Sequence, residues 1–332
     1  MMKKCKRKRY IKIIILMSLV CFLMPIKANA KNIVSTTHQK YDYDEYVEDL
    51  ELLEEKYSEH CRVEVLGQTA DKRNLYEVTI GNPEAEKHLI VIANLHAREY
   101  MTTQLCMRQI EYYLQNYNKK MDGKKVADVL DKVAIHYVPS CNPDGTAISQ
   151  YGFKAIRNKS LYKKLKKMQG NSKTWKANAR GVDLNMNWGY KFKKRGKAAY
   201  AGYTGKKAAS ELETKALLSM IKDVSKQGKI VGIVSYHAMG SVIFGNCGKN
   251  AKSSVKKNTK KMYQVAKITT GYYLYGNANS KCQSREYFLY VAKIPCITLE
   301  IGNNTCPVPQ KQFASIWKKN KKLVYREAKL FY

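Results

Sequence analysis

Four apolar runs of strand length constrain the fold of this chain more than any other feature. They lie at residues 88–95, 134–139, 229–236 and 294–301. Continuous apolar runs are typical of parallel strands that are covered on both faces. Segments with helical spacing separate them, at residues 102–117, 126–133, 211–226 and 253–270. Strands that alternate with helices predict an α/β fold: a single domain with a mixed, mostly parallel central sheet flanked by helices.

The rest of the chain supplies further elements by pattern. An amphipathic helix with an acidic outer face is predicted at residues 41–57, and two short strands are predicted between residues 63 and 80. The composition of Asn142-Pro143-Asp144-Gly145 predicts a turn. Residues 146–210 are predicted to form a long loop region with short helices, and residues 313–330 a closing helix. A loop region of this size in a compact domain is usually functional.

Residues 1–30 have the features of a secretory signal peptide. Basic residues precede an apolar run, and Ala28-Asn29-Ala30 offers a small-x-small cleavage site. The alternatives are lipidation at Cys21 and a retained membrane anchor, although the run is shorter than the roughly 20 residues of a span. We expect a secreted or cell-wall-associated protein without a stable membrane span after cleavage. Residues 31–40 are then a flexible lead-in and residues 41–332 the folded domain.

The charge of the mature chain points to an anionic environment. The leader holds eight of the 60 basic residues, so 52 basic residues stand against 27 acidic ones, a net charge of +25. No nucleic-acid-binding motif accompanies the lysines. Teichoic acids, anionic peptidoglycan and acidic lipid headgroups are other polyanions that a secreted protein meets. We expect a soluble basic surface that attracts anionic cell-wall polymers, and no nucleic-acid partner.

Seven cysteines remain in the mature chain, an odd number without the regular spacing of a disulfide framework or a CxxC zinc site. At least one is therefore expected to be free. Cys106 and Cys296 are predicted to be small core residues, because their neighbours are apolar.

Four residues with the chemistry of a metal site follow predicted buried strands. His96 and Glu99 come directly after one strand, His237 ends another, and Glu300 lies near the end of a third. A His–Glu pair alone carries little weight, because chance gives roughly 0.5 such pairs in a chain of this composition. Ligands of open α/β sheets bind beyond the carboxyl ends of the strands. The coincidence of all four residues there is much more specific.

Two histidines and one glutamate can hold zinc with an open fourth position, the arrangement of a catalytic zinc. His96, Glu99 and His237 are the predicted ligands of one Zn²⁺ per chain. Zinc lowers the pKa of its bound water towards about 7. Glu300 could then take the proton and pass it on as general acid.

The remaining histidines have no such setting. His136 lies within a predicted strand and is expected to be buried, whereas His38, His60 and His88 are expected to be exposed.

Six motifs, from about residue 41 to the C-terminus, resemble those of the zinc carboxypeptidases and follow that family's order. They are His96-Ala97-Arg98-Glu99, Asn142-Pro143-Asp144-Gly145, Gly181-Val182-Asp183-Leu184-Asn185, Ser210-Glu211-x-Glu213-Thr214, Ser235-Tyr236-His237 and Thr298-Leu299-Glu300. The resemblance implies a catalytic domain at residues 41–332 with the three zinc ligands named above. It also implies Glu300 as general base and acid, and Asp183 as the acceptor that fixes the ring of His96.

Substrate-binding residues are implied in the same way. Arg98 and Asn185 would contact the substrate. Family carboxypeptidases carry Arg directly after this Asn, where it holds the terminal carboxylate of the substrate, whereas this chain has Met186. A thioether cannot form a bidentate pair with a carboxylate, which argues against ordinary carboxypeptidase action.

Two cations compete for the role of the family's electrophilic Arg. The spacing to Gly181 favours Lys176, with Arg180 nearby, and either cation could stabilise an oxyanion. The position of the family's mobile tyrosine falls near Ala278, so Tyr275 is the candidate for that role.

The segment from Trp175 to Met186 and the sequence Cys306-Pro307-Val308-Pro309 resemble the bacterial branch that cleaves γ-D-glutamyl-diaminopimelate bonds in cell-wall peptides. Arg285 falls where the family's specificity-pocket residue lies and could pair with a diaminopimelate carboxylate; the alternative is an exposed loop Arg. We therefore predict a monomeric, secreted zinc peptidase that acts on peptidoglycan stem peptides. The alternatives are a metallocarboxypeptidase for ordinary peptides and a catalytically inactive, basic wall-binding protein.

Overall fold

The structure is a computed structural model that describes residues 32–276 and 283–332. The predicted signal peptide, the position of Ala278 and Cys282 lie outside the described residues.

The described residues form strands that belong to one large sheet and one small hairpin. The strands are β1 (Cys61–Gln68), β2 (Asn74–Ile80), β3 (Lys87–Ala93), β4 (Lys120–Met121), β5 (Lys124–Lys125), β6 (Val133–Val138), β7 (Lys229–His237), β8 (Val242–Phe244), β9 (Tyr273–Tyr275) and β10 (Cys296–Glu300). The sheet has eight strands in the order β1-β2-β6-β3-β7-β10-β8-β9. Its centre, β6-β3-β7-β10, is parallel, whereas β1, β2 and β8 join it through antiparallel pairs. The predicted mixed, mostly parallel sheet is confirmed.

Helices cover both faces of this sheet. They are α1 (Tyr43–Lys56), α2 (Met101–Gln115), α3 (Val126–Leu130), α4 (Pro143–Tyr151), α5 (Lys159–Leu165), α6 (Leu212–Gln227), α7 (Ser253–Thr270), α8 (Ser284–Tyr287), α9 (Phe313–Asn320) and α10 (Leu323–Lys329). The long predicted loop region carries α4, α5 and several short 3₁₀ turns.

The apolar run in β3 explains why the sheet is buried on both sides. Successive side chains of a strand point to opposite faces. Leu89 and Val91 therefore belong to one core cluster, and Ile90 and Ile92 to the other. All four are fully buried, and burying a side chain of this size contributes about 1.5–3 kcal/mol. The strand is thus held between two helical layers.

Two predicted elements differ from the structure. The expected turn at residues 142–145 begins α4: the Asn142 side chain accepts a hydrogen bond from the Gly145 N–H at 3.1 Å, and Pro143 opens the helix, as capping preferences favour. The expected single helix at residues 313–330 is broken between α9 and α10. Next to the break, the buried Asn320 carbonyl accepts a hydrogen bond from the Gln109 side chain at 2.8 Å.

The expected flexible lead-in packs against the body of the chain from residue 32 onwards. The backbone N–H groups of Ile33 and Val34 donate to the buried Glu111 carboxylate at 2.8 and 3.1 Å, and Val34 is buried. The Gln39 side chain donates to the Val308 carbonyl at 2.9 Å. The segment forms no helix or strand, but these contacts tie it to α2 and to the loop after β10.

His136 is buried as predicted, whereas the prediction that His88 is exposed was wrong. His88 is fully buried, and its Nδ1 lies 2.8 Å from Nε2 of His136. His136 Nδ1 in turn lies 2.7 Å from the Glu77 carboxylate. Burial and the neighbouring His136 lower the pKa of His88 to about 4. A neutral imidazole with a partner of this kind is compatible with the core.

The cysteines in the described part of the mature chain are free thiols, including the buried Cys106 and Cys296. Among residues 32–276 and 283–332, no helix is long and apolar enough to cross a membrane.

Candidate active site

A left-handed residue after β3 turns the chain towards the carboxyl edge of the sheet. Asn94 has φ of 59°, a conformation that Asn tolerates better than most residues. Its side chain donates to the His96 carbonyl at 3.1 Å and accepts from the Thr146 hydroxyl at 2.7 Å. The Glu99 N–H donates to the His96 carbonyl at 3.0 Å. The two side chains therefore leave the same tight turn.

Three side chains meet at this edge with their ligand atoms within 4.8 Å of one another, and all three are buried: His96, Glu99 and His237. His96 Nδ1 lies 2.9 Å from Glu99 Oε1, and His237 Nδ1 lies 3.0 Å from Glu99 Oε2. The two Nδ1 atoms are 3.3 Å apart. The N–H of Ala238 also donates to Glu99 Oε2 at 3.1 Å, a backbone contact that has no signal in the sequence.

Glu300 reaches the same place through strand register. β10 pairs in parallel with β7, and Glu300 lies directly opposite His237. The Ile301 N–H donates to the His237 carbonyl at 2.8 Å. Burial and the Glu99 carboxylate raise the pKa of Glu300 to about 7, although His237, His96 and Lys176 act in the opposite direction. A carboxyl group with such a pKa can exchange a proton near neutral pH.

Asp183 lies behind His96, as expected of the residue that fixes its ring. Its Oδ1 is 3.2 Å from His96 Nε2, and its Oδ2 accepts the Gly202 N–H at 3.2 Å. Gly181 turns the chain just before it with φ of 71°, and a Cβ there would lie 2.8 Å from the Ala199 nitrogen. The 3₁₀ turn Leu184–Met186 follows, with Asp183 as its cap.

The charges of these carboxylates favour a cation at the centre. Burial lowers the pKa of His96, but the carboxylates of Glu99 and Asp183 outweigh it and raise that pKa to about 10. Burial likewise raises the pKa of Glu99, but His96 and His237 hold it well below its usual value. A positive charge between these side chains is therefore stabilised by the carboxylates.

The donor set fits zinc. When a metal ion replaces the proton on Nδ1 of His96, Nε2–H still faces Asp183, and the Nδ1 lone pair faces Glu99 and the second imidazole. Lone pairs that face one another in this way repel each other unless a cation lies between them. Two imidazole nitrogens and a carboxylate are the ligands of catalytic zinc sites. His96, Glu99 and His237 are thus the residues that could hold the ion.

The two candidate cations lie in different surroundings. The Lys176 carbonyl accepts the Ala97 N–H at 3.0 Å, next to His96, and the positive charge of the Lys176 side chain favours the ionised forms of Asp183 and Glu300. The Arg180 side chain is 46% exposed and its Nη1 lies 3.9 Å from the Glu211 carboxylate. Of these two cations, Lys176 is the one whose charge acts on the carboxylates of the site.

Arg98 and Cys306 form one side of the site. The Nε–H of Arg98 is buried without a hydrogen-bond partner among the described residues, although the residue as a whole is half-buried. The Cys306 thiol donates to the Arg98 carbonyl at 3.4 Å. Burial and the Glu99 charge raise the pKa of this thiol to about 12, although Arg98 and Lys176 lower it. Cys306 is therefore a neutral thiol at the site, and the sequence indicated only the motif that contains it.

Asn185 and Met186 share the half-buried turn that follows Asp183. The Ser284 hydroxyl donates to Asn185 Oδ1 at 2.6 Å, which orients the amide. Ser284 stands almost a hundred residues further along the chain, so sequence reasoning had no signal for this contact.

Arg285 is not an exposed loop residue. It is buried, and its guanidinium donates to the Asn246 carbonyl at 3.0 Å and to the Glu286 carboxylate at 2.7 Å. Burial raises the pKa of the Cys296 thiol, at the start of β10, and the charge of Arg285 offsets part of that increase. An internal carboxylate therefore already pairs with this cation.

Tyr275 lies away from the centre. It is 54% exposed on the edge strand β9, where it pairs in register with Phe244. Phe244 pairs with Thr298, two residues before Glu300. Two strand spacings of about 4.8 Å each therefore separate Tyr275 from β10, and the structure does not bring it to the other site residues.

Comparison with known proteins agrees with this geometry. The family model described as zinc carboxypeptidase matches residues 46–322. The chain belongs to the zinc carboxypeptidase family and is a zinc metallopeptidase. It is similar to gamma-D-glutamyl-L-diamino acid endopeptidase 1 of Lysinibacillus sphaericus, with 25% identity over 84% of this chain and 70% of the relative.

Solved structures show the same fold. Thrombin activatable fibrinolysis inhibitor is 17% identical, with a TM-score of 0.71 over 90% of this chain and 77% of that one. Murein-tripeptide amidase MpaA from Escherichia coli O157 is 18% identical, with a TM-score of 0.50 over 82% of this chain and 96% of that one.

Proposed function

We propose that this chain is a secreted zinc peptidase that hydrolyses the γ-D-glutamyl-diaminopimelate bond of peptidoglycan stem peptides. The observation that carries the proposal is Met186. It stands on the half-buried turn directly after Asn185, at the position where a family carboxypeptidase would offer Arg to the terminal carboxylate of an ordinary peptide. The Lysinibacillus sphaericus relative is named as a γ-D-glutamyl-L-diamino acid endopeptidase, which supports the proposal.

The residues of the site suit hydrolysis of an amide. A zinc ion held by His96, Glu99 and His237 would polarise the scissile carbonyl and acidify a water molecule. Glu300, with a pKa near 7, would accept a proton from water and return it to the leaving nitrogen. Lys176 would stabilise the negative charge that develops on the substrate oxygen.

Arg98 would orient the substrate. Its buried Nε–H without a described partner is costly to leave unsatisfied, and a carboxylate or carbonyl of the stem peptide would satisfy it. When a further residue follows diaminopimelate in the stem peptide, the residue directly after the scissile bond has no terminal carboxylate of the kind that ordinary carboxypeptidases hold. Binding of such a substrate requires no positively charged side chain at the position of Met186.

A digest of defined peptides tests the proposal. The protein is incubated with L-Ala-γ-D-Glu-diaminopimelate peptides and, separately, with α-linked peptides of similar length and charge, and the products are identified by mass. Release of diaminopimelate-containing fragments is expected, with Glu300→Gln as the inactive control.

Two outcomes would refute the proposed function. One is the absence of γ-D-glutamyl cleavage at high enzyme concentration. The other is steady removal of C-terminal residues from α-linked peptides, abolished when the C-terminus is amidated; this would identify an ordinary metallocarboxypeptidase. If zinc is bound but neither substrate class is cleaved, the basic wall-binding alternative gains support.

A further inference from the structure

More than one part of the chain carries positive charge without any carboxylate, and one of these parts lies at an edge of the sheet. Residues 224–285 contain eleven Lys and Arg residues and no Asp or Glu. The helix α7 lies inside this segment and contributes five of these cations: Lys256, Lys257, Lys260, Lys261 and Lys267. We refer to these five side chains as the α7 surface.

The fold places this surface at one edge of the sheet and negative charge at the other. α7 packs against β8, β9 and β10, and β9 is the last strand in the sheet order. The opposite edge strand is β1, which α1 covers. Ten of the 27 acidic residues fall within residues 42–64, which span α1 and the start of β1. The two edges of the sheet therefore differ in charge: the edge beside α7 is basic, and the edge beside α1 is acidic.

The exposed lysines of the α7 surface have no carboxylate partner among the described residues. Lys257, Lys260 and Lys261 are exposed, and within residues 32–276 and 283–332 none of the three forms an ion pair with a carboxylate. Uncompensated like charges within one or two helical turns are destabilising. An arrangement of this kind suits an external polyanion better than it suits the stability of the helix.

Apolar and aromatic groups lie at the end of the same helix. Ile268 is 79% exposed and Tyr273 is 75% exposed, and Lys267 Nζ lies 5.8 Å from the centre of the Tyr273 ring. At the other end, Lys256 and Lys260 line a cleft of about 290 Å³ together with Tyr263. The surface thus combines a cleft, a row of cations and an aromatic platform along about 20 Å of helix.

We propose that the α7 surface binds an anionic cell-wall polymer, a flexible chain of repeated phosphodiester groups, and so holds the enzyme on the wall. The proposal rests on the proposed function, because it assumes that the protein is secreted and meets the cell wall. It concerns a different part of the molecule from the zinc centre. A row of exposed cations along a helix matches an extended chain with repeated charge, whereas a single small anion would contact only part of it. β10 carries Glu300 and is adjacent to β8, so the bound edge belongs to the half of the sheet that contains the catalytic glutamate.

Charge-matched variants test the proposal on the full mature chain. In the test variant, Lys257→Gln, Lys260→Gln and Lys261→Gln remove three charges from the α7 surface. In the control, Lys159→Gln, Lys163→Gln and Lys167→Gln remove three exposed charges from α5 and the residues that follow it. Both variants have the same net charge. Binding is measured by co-sedimentation with Gram-positive cell walls that retain teichoic acid, and with the same walls after hydrofluoric acid extraction.

The expected result is at least a tenfold loss of wall affinity in the test variant and less than a twofold loss in the control. Extracted walls should bind the wild type as weakly as intact walls bind the test variant. The slope of log affinity against log salt should fall by about 2 in the test variant, because each phosphate contact contributes roughly 0.7 to that slope for a flexible single chain.

Three results would overturn the proposal: equal losses in both variants, unchanged binding to extracted walls, or displacement of the protein by duplex DNA as readily as by soluble teichoic acid. Hydrolysis of soluble muropeptides keeps the two proposals separate. It should be unchanged in the test variant, so a failure of wall binding leaves the peptidase function intact. Absence of γ-D-glutamyl cleavage would not affect the wall-binding result.

Discussion

Replacing Lys176 by Met should reveal which cation stabilises the transition state. The positive charge of Lys176 favours ionisation of Glu300 and Asp183, whereas the half-exposed Arg180 side chain is paired with the buried Glu211 carboxylate. Met keeps the length and apolar stem of Lys and removes only the ammonium group. The backbone carbonyl of Lys176, which accepts the Ala97 N–H at 3.0 Å, is unaffected, so the fold should be retained.

The expected loss of kcat in Lys176→Met follows from the proposed role of the ammonium group. Removing one preorganised group that stabilises an oxyanion costs about 10²–10³ in kcat, or about 2.7–4 kcal/mol. Arg180→Met is the matched control. Arg180 does not act on the carboxylates of the site, so this variant should lose less than about fivefold in kcat, which corresponds to about 1 kcal/mol.

Steady-state hydrolysis of a γ-D-glutamyl-diaminopimelate peptide measures both variants. Lys176→Met should lower kcat with little change in KM, and Lys176→Arg should recover part of the loss because it restores the positive charge. Zinc content and thermal unfolding should match the wild type. A hundredfold loss in Arg180→Met together with a near-normal Lys176→Met would refute the assignment.

Three further predictions concern the metal centre and a buried carboxyl group. Glu300→Gln should retain stoichiometric zinc and lose turnover, whereas His96→Ala should lose both; metal analysis would contradict this if Glu300→Gln also lost zinc. Asp183→Asn should weaken zinc binding about 10–100-fold in a chelator competition, and an unchanged affinity would show that Asp183 does not position His96. Burial and the Asp144 charge raise the pKa of Glu213 from 4.5 to about 8. Between these two pH values the carboxyl group is ionised in the unfolded chain but still protonated in the folded protein. The free energy of unfolding should therefore decline as pH rises from about 4.5 to 8. Glu213→Gln should remove this decline and stabilise the protein by roughly 3 kcal/mol at pH 7; parallel pH profiles in denaturant unfolding would contradict it.

The sheet and the metal centre could be predicted because both depend on local patterns. Leu89 to Ala93 are apolar at every position, which marks a strand that is buried on both faces wherever it lies in the sheet. A parallel strand with such a sequence must expose its carboxyl end at a common edge. His96 and His237 follow two of these strands within a few residues, so their meeting needed no knowledge of the loops.

Contacts between distant residues explain the wrong predictions. His88 is polar and stands at the start of a strand, but His136 on the neighbouring strand gives its ring nitrogen a partner and allows it to be buried. The break between α9 and α10 coincides with a hydrogen bond from Gln109, more than two hundred residues away. Neither partner can be identified from the periodicity of the segment itself.

The difference between local sequence patterns and contacts of distant residues also separates the catalytic chemistry of the site from its substrate specificity. The candidate zinc ligands and Glu300 lie on or directly after strands whose register is fixed by backbone hydrogen bonds, so their positions follow from the sheet. Lys176, Asn185 and Met186 lie in the loop region between α5 and α6, where side-chain contacts such as that from Ser284 decide which groups face the substrate. Loops on a rigid scaffold commonly carry the variable part of recognition. A digest that is negative for muropeptides alone would therefore revise what the loops select. Absence of zinc from the native protein, or bound zinc without cleavage of either substrate class, would revise the reaction.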